Sequence, residues 1–192
     1  MKARESGMPE EGAWERFFQP QAAVDRLLAP VGGSPAHVVE FGCGYGTFTL
    51  PAARRAGGIV TALDIEADAV ARVQARAREQ GLGNVRVERR DFVAQGSGLE
   101  DGTQAHAMVY NLLHLEHPLD LLREAARVLA PRGRISVIHW RSDILTPRGP
   151  SLAIRPTPEQ CAAWLVEAGF QAVQAVELED ICPYHFGLVA VR

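Results

Sequence analysis

Two hydrophobic rhythms alternate along the chain. Residues 36–41 (AHVVEF), 58–63 (GIVTAL), 84–88 (NVRVE), 105–110 (AHAMVY) and 134–139 (RISVIH) are short and rich in apolar or β-branched residues, which predicts five strands. Helical spacing fills the gaps. Residues 66–80 place Val70, Val73 and Ala77 on one face and stop at Gly81. Residues 118–130 do the same with Leu119, Leu122, Ala126 and Leu129, ahead of Pro131 and Gly133. Residues 47–56 suit a helix if Pro51 sits in its first turn or kinks it. Thr157, Pro158 and Gln160 predict an N-cap, a first-turn proline and a capping-box partner, opening a helix that ends near Gly169. Two further strands, 171–178 and 185–191, follow in succession around Asp180 and Pro183.

This order predicts an α/β fold: a doubly wound, seven-stranded, mostly parallel sheet with an antiparallel last strand. Ahead of it, residues 1–12 read as a polar tail. Trp14, Phe17 and Phe18, then Val24, Leu27 and Leu28, suit one or two short amphipathic helices, the second starting at Pro20. The expected organisation is therefore an N-terminal tail and short helices capping the pocket over 1–35, and a ligand-binding domain over 36–192. The connection 140–157 is too long for a simple loop, which suggests a functional role.

Composition narrows the chemistry. The chain has 192 residues and a net charge of -3, with no basic footprint for a nucleic-acid backbone. Nineteen of its 20 basic residues are arginine, and the one lysine is Lys2. Schiff-base chemistry, Walker-type phosphate lysines and Tyr/Lys dehydrogenase pairs are thereby excluded. Cys43, Cys161 and Cys182 are odd in number and widely spaced, suggesting neither a disulfide framework nor a zinc knot. No apolar run suggests a membrane span or a signal peptide, so the expected location is cytoplasmic.

The sharpest local signal is VVEFGCGYGTF, residues 38–48, between a predicted strand and a predicted helix. Gly42, Gly44 and Gly46 permit a tight turn and close approach of a ligand. Glu40 ends an otherwise apolar strand, and a carboxylate buried there needs a partner. Asp64, 22 residues beyond Gly42, ends the second strand, where an acid can accept ribose hydroxyls. Asp91 and Phe92 follow the third strand, placed to accept an adenine amine and to pack on its ring. Together these point to a nucleotide-like cofactor at the carboxyl edge of the sheet. The third glycine comes one residue early for the dinucleotide pattern G-x-G-x-x-G, which leaves a nicotinamide-dependent oxidoreductase as the weaker alternative.

On these motifs the chain resembles the class I S-adenosylmethionine-dependent methyltransferases of the small-molecule type, over residues 36–192. Glu40, Gly42, Cys43, Gly44, Tyr45 and Gly46 resemble that family's first motif. Asp64, with Ile65 beside it, resembles the ribose-binding acid, and Asp91-Phe92 the adenine-site pair. Asn111 and Leu112 resemble the positions beside the methionine part. The resemblance implies a Rossmann-like methyltransferase fold, S-adenosyl-L-methionine as cofactor and in-line transfer of a methyl group. Such transfer needs placement more than a catalytic triad. Of six histidines, His114 after the fourth strand and His139 at the end of the fifth are the candidate catalytic residues; His37 and His106 lie within strands and suit the core or a sheet edge, and His185 opens the final strand. His114, Glu116 and His117 lack a third distant ligand for zinc, so no metal is expected. Trp14, Phe17, Phe18 and Tyr45 suit an apolar cover over the pocket. Arg141, Arg148 and Arg155 offer bidentate donors to an acidic substrate, or else solvate the long connection. Elimination leaves an O or N nucleophile on a small molecule, with no nucleic acid or membrane partner and with a homodimer compatible. A relative that binds the cofactor without transferring methyl is the other alternative.

Overall fold

The computed structural model describes residues 11–28 and 36–192. Most of the expected tail, and the Gly32–Pro35 turn, lie outside the described residues. A short helix α1 (Glu11–Trp14) leads through a 3-10 turn (Glu15–Phe17) into α2 (Pro20–Leu27). Then come β1 (Val38–Phe41), α3 (Thr49–Arg55), β2 (Val60–Asp64), α4 (Ala67–Glu79), β3 (Val85–Arg89), α5 (Phe92–Gln95), β4 (Gln104–Tyr110), α6 (Pro118–Val128) and β5 (Leu129–Trp140). A 3-10 turn (Leu152–Ile154), α7 (Pro158–Glu167), β6 (Gln171–Val176) and β7 (His185–Val191) complete the order.

The seven strands form one sheet in the order β3-β2-β1-β4-β5-β7-β6. β7 runs antiparallel to both neighbours, and the other pairings are parallel. The order reverses between β1 and β4, and ligands of open α/β sheets bind at such a point. Strand periodicity divides the core into two layers. Val38, Val60, Met108 and Ile138 face the layer that holds α2 and α3, while Val39, Phe41, Ala107 and Val137 face α6 and α7. The three cysteines fall in three separate apolar clusters and are all free. No helix of the described residues is long and apolar enough to cross a membrane.

The structure departs from the predicted elements at three places. β5 begins at Leu129, directly after α6, because Leu129 pairs with Gln104 before a register shift reaches the Arg134–His106 pairing. Helix α5 is too short to show a period in sequence; Asp91 caps it by accepting the Ala94 amide at 3.0 Å. β6 stops at Val176, and Leu178 turns into the core, where it closes on Gly187. The capping box at Thr157 forms as predicted, with Gln160 N donating to Thr157 Oγ1 and Thr157 N donating to Gln160 Oε1.

Candidate active site

The carboxyl ends of β1, β2, β3 and β4, with the end of β5, surround a cavity of about 460 Å³. Its β1–β3 end is built mainly from backbone and acids. After β1 the chain turns sharply: Gly42 N and Cys43 N both donate to Leu63 O on the neighbouring strand, and Gly42, Gly44 and Gly46 all have positive φ. A Cβ on Gly42 would lie 3.2 Å from Leu112, so the turn stays open only with glycine there. Asp64 clamps the turn from β2. Its Oδ2 accepts from Gly44 N at 2.8 Å and its Oδ1 from Glu66 N at 3.0 Å.

Glu40 is buried at the end of β1, and Thr49 Oγ1 donates to its Oε2. Burial raises the Glu40 carboxyl to about 8, opposed by the Thr49 hydrogen bond. Asn111 follows β4 with φ +57. Its side-chain Oδ1 and Nδ2 are buried without a partner among the described residues, although its backbone N donates to Ile138 O. A buried unpaired amide is costly in a closed core and costs less when a ligand answers it.

The β4–β5 end is made of side chains from distant parts of the chain. Trp14, Phe48, Tyr110, Trp140 and the Gly149–Pro150 backbone line it. Trp14 is fixed by Nε1 donating to Thr47 Oγ1 at 3.0 Å. Tyr110 OH is hydrogen-bonded to Ser136 Oγ at 2.8 Å, and Ser136 Oγ to His106 Nε2 at 2.8 Å. His114 lies in the wall. Its Nδ1 is 3.2 Å from His139 Nε2, and His139 Nδ1 is 3.2 Å from Trp140 O.

That arrangement sets the tautomers. A carbonyl only accepts, so His139 Nδ1 carries the proton. Burial lowers His139 to about 3, with His114 adding to the effect, so the ring is neutral and its Nε2 has a lone pair. His114 Nδ1 therefore donates to it. This tautomer assigns the basic lone pair of the His114 ring to Nε2.

Most of the residues singled out from sequence meet in this cavity: Glu40, Gly42, Cys43, Gly44, Tyr45, Asp64, Ile65, Asp91, Phe92, Asn111, Leu112 and His114 all line it. Gly46 and His139 do not. Gly46 instead packs toward Val73 of α4, and His139 is buried behind His114. Of the expected apolar cover, Trp14 and Tyr45 reach the cavity. Phe17 and Phe18 pack below it, Phe17 against Trp140 at 5.6 Å and Phe18 against Phe48 at 5.1 Å. His117 is the N-cap residue of α6 but makes no side-chain capping bond.

Two of the three arginines of the long connection are committed elsewhere, and the third, Arg148, is exposed and does not line the cavity. Arg141 pairs with Asp143, and Arg155 is buried with three backbone carbonyls as partners. Sequence reasoning missed Thr47, Thr49, Tyr110 and Trp140 as parts of the site. Only the position of Tyr110 and Trp140 at strand ends signalled them.

Comparison with known proteins agrees with this geometry. Residues 38–133, half of the chain, match the family described as "Methyltransferase domain". The chain is 35% identical over 124 residues to nocamycin O-methyltransferase of Saccharothrix syringae, covering 63% of this chain and 43% of that protein. It is 43% identical over 63 residues to the 23S rRNA (uracil(1939)-C(5))-methyltransferase RlmD of Methylococcus capsulatus, covering 32% of this chain and 14% of that protein. The chain thus spans less than half the length of these curated relatives. Its fold is similar to a SAM-dependent methyltransferase from Aquifex aeolicus, with a TM-score of 0.78, 24% identity, and coverage of 95% of this chain and 93% of that one. The match removes the nicotinamide alternative, as the early third glycine already suggested. The chain belongs to the class I S-adenosylmethionine-dependent methyltransferases.

Proposed function

We propose that this chain methylates a hydroxyl oxygen of a small molecule, with His114 as the general base and His139 as its positioning residue. The observation that carries the reading is the histidine pair, in which His139, fixed by Trp140 O, accepts from Nδ1 of a His114 ring that lines the cavity. The similarity to an O-methyltransferase supports the choice of oxygen.

The residues present fit S-adenosylmethionine. Asp64 suits the ribose hydroxyls, and the unpartnered amide of Asn111 suits the amino and carboxylate groups. Asp91 and Phe92 suit the adenine, and the glycine turn leaves room for backbone contact. When bound, the cofactor supplies an electrophilic methyl group whose bonding electron pair remains on sulfur as the acceptor oxygen takes the carbon.

The protein's contribution is placement and proton removal. The aromatic wall excludes water, the competing nucleophile, and orients the acceptor. His114 takes the hydroxyl proton at Nε2. His139 accepts from His114 Nδ1 throughout and so holds the ring at one angle. Positioned proton transfer of this kind contributes roughly 10²–10⁴-fold.

The test is transfer of labelled methyl from S-adenosylmethionine to a panel of phenols and alcohols, beside calorimetric binding of S-adenosylhomocysteine. His114→Ala should lower kcat about 100-fold and leave S-adenosylhomocysteine affinity within a few fold. His139→Phe keeps the bulk and should shift the pH profile of kcat/KM. Unchanged turnover in His114→Ala defeats the base assignment. Tight S-adenosylhomocysteine binding with no methylation across the panel favours a relative that binds the cofactor without transfer.

A further inference from the structure

One residue crosslinks the connection from Arg141 to Thr157. Arg155 is buried, and its guanidinium faces inward on the chain's own backbone. Nε donates to Pro150 O at 2.8 Å, Nη1 to Arg141 O at 2.9 Å and Nη2 to Arg148 O at 3.2 Å. The planar group also stands over the Trp140 ring, 5.7 Å from its centroid. Among the described residues no carboxylate is ion-paired with it. Arg155 thus ties both ends of the connection together and presses its middle onto Trp140. Gly149 shows how closely: a Cβ there would lie 2.8 Å from the indole, and its φ is +107. Gly149 and Pro150 then form part of the cavity wall.

The same arrangement decides what the wall can recognise. Arg155 spends its donors on carbonyls and does not line the cavity. Arg141 is taken by Asp143 at 2.7 Å, with Glu179 nearby. The two arginines that do line the cavity belong to its β2–β3 side and are also engaged. Arg72 is ion-paired with Glu11 and stands over Tyr45, and Arg90 donates to Gly96 O and Gln95 O. At the β4–β5 end an entering carboxylate would meet aromatic rings, the His114–His139 pair, the Trp14 N–H engaged with Thr47, and the Tyr110 hydroxyl engaged with Ser136. It would lose its hydration and gain no cation. An ammonium group would meet no ionised partner there either: Glu40, the lining carboxyl whose charge reaches Tyr110, is buried, accepts from Thr49, and is raised to about 8 by that burial.

We infer that the β4–β5 end is a preformed compartment for an uncharged, mainly apolar hydroxyl compound, and that Arg155 is the positioning residue that builds its wall. This rests on the methyl-transfer reading and adds the class of acceptor to it.

The experiment uses the full chain saturated with S-adenosylhomocysteine, and measures by calorimetry the binding of three probes of one shape: 2-naphthol, 2-naphthoate and 2-naphthylmethylammonium. The expected result is 2-naphthol bound at least tenfold tighter than either charged probe. Arg155→Met, which keeps an apolar stem without donors, should lose that preference and about tenfold in 2-naphthol affinity, with S-adenosylhomocysteine affinity within twofold. Arg155→Lys should not restore it, since one ammonium cannot span three carbonyls. The wild-type comparison stands even where a variant fails to fold. A charged probe that binds as well as 2-naphthol, or no binding by any of the three, overturns the inference. Absence of S-adenosylhomocysteine binding overturns instead the reading on which it rests.

Discussion

The two ends of the cavity are built by opposite strategies. At the β1–β3 end, a turn and an acid 20 residues apart are joined by one hydrogen bond, Gly44 N to Asp64 Oδ2. Backbone groups do most of the work there, and the turn needs little beyond glycine and a carboxylate at the right distance. At the β4–β5 end, Trp14, Phe48, Tyr110, Trp140 and Gly149 come together from far apart in the chain. Three of them are held by separate tertiary contacts: Thr47 for Trp14, Ser136 for Tyr110, Arg155 for the backbone around Gly149. The first end suits a ligand common to a whole family. The second is free to differ from one protein to the next.

The largest effect should come from breaking the first end alone. Asp64→Ala removes the acceptor for two backbone amides and the group proposed to hold the ribose. S-adenosylhomocysteine affinity should fall about 100-fold, roughly 2.7 kcal/mol. Part of that loss reflects a loosened turn. Asp64→Asn, which retains one acceptor oxygen, should lie between the two. Calorimetry checks this, and unchanged affinity in Asp64→Ala would remove the ribose assignment.

What could be read in the sequence follows the same division. The glycine turn, Asp64 and Asp91-Phe92 lie next to strand ends whose apolar pattern is visible, so their meeting at one sheet edge follows from the topology. Six of the seven strands were predicted within two residues at both ends: β1, β2, β4 and β7 by their buried apolar runs, and the edge strands β3 and β6, which bury no residue fully, by the Val85-Arg86-Val87 alternation and by the position between Gly169 and the turn at Asp180. The start of β5 was not, since residues 129–133 carry a proline and a glycine and pair through a register shift. His114 was legible by its place after β4, but its partnership with His139 depends on how two neighbouring strands align. Arg155 was misleading. Arginines in a long connection suggest a binding site for acids, yet this one satisfies the connection's own carbonyls. A side chain's partner is set by the tertiary path of the loop, and no local pattern records that path.

The two ends should also respond to pH in opposite directions. Glu40, raised from 4.5 to about 8, keeps in the folded state a proton that the unfolded chain loses. Its contribution to stability is complete below pH 4.5 and is lost as pH rises to about 8. His139 and His106, lowered from 6.5 to about 3, behave the other way. Their contribution is complete above pH 6.5 and is lost as pH falls toward 3. Stability should therefore peak near pH 6.5 and decline toward pH 8, by up to about 1.4 kcal/mol per pH unit. Glu40→Gln should abolish the decline above the peak, steepen the rise between pH 4.5 and 6.5, and leave the slope below pH 4.5 unchanged. Thermal unfolding across this range tests it, and a decline of equal slope in the glutamine variant would show that another group is responsible.

The finest test of the comparison is Gly149→Ala. The added methyl would lie 2.8 Å from Trp140, on backbone at φ +107 that suits glycine alone. Trp140 cannot retreat easily, because its other neighbours are Phe17 at 5.6 Å and His185 at 4.1 Å. The strain therefore returns to the connection and shifts the wall beside Pro150. The expected result is up to tenfold weaker 2-naphthol binding and a melting temperature lower by a few degrees, for a cost of about 1 kcal/mol. S-adenosylhomocysteine affinity should remain within twofold, since none of the glycine-turn contacts involves this backbone. Gly149→Ala with Trp140→Phe removes the bulk of the clash and should regain part of the stability. If S-adenosylhomocysteine binding weakened in step with 2-naphthol binding, the two ends would share one wall, and the division between them would have to be withdrawn.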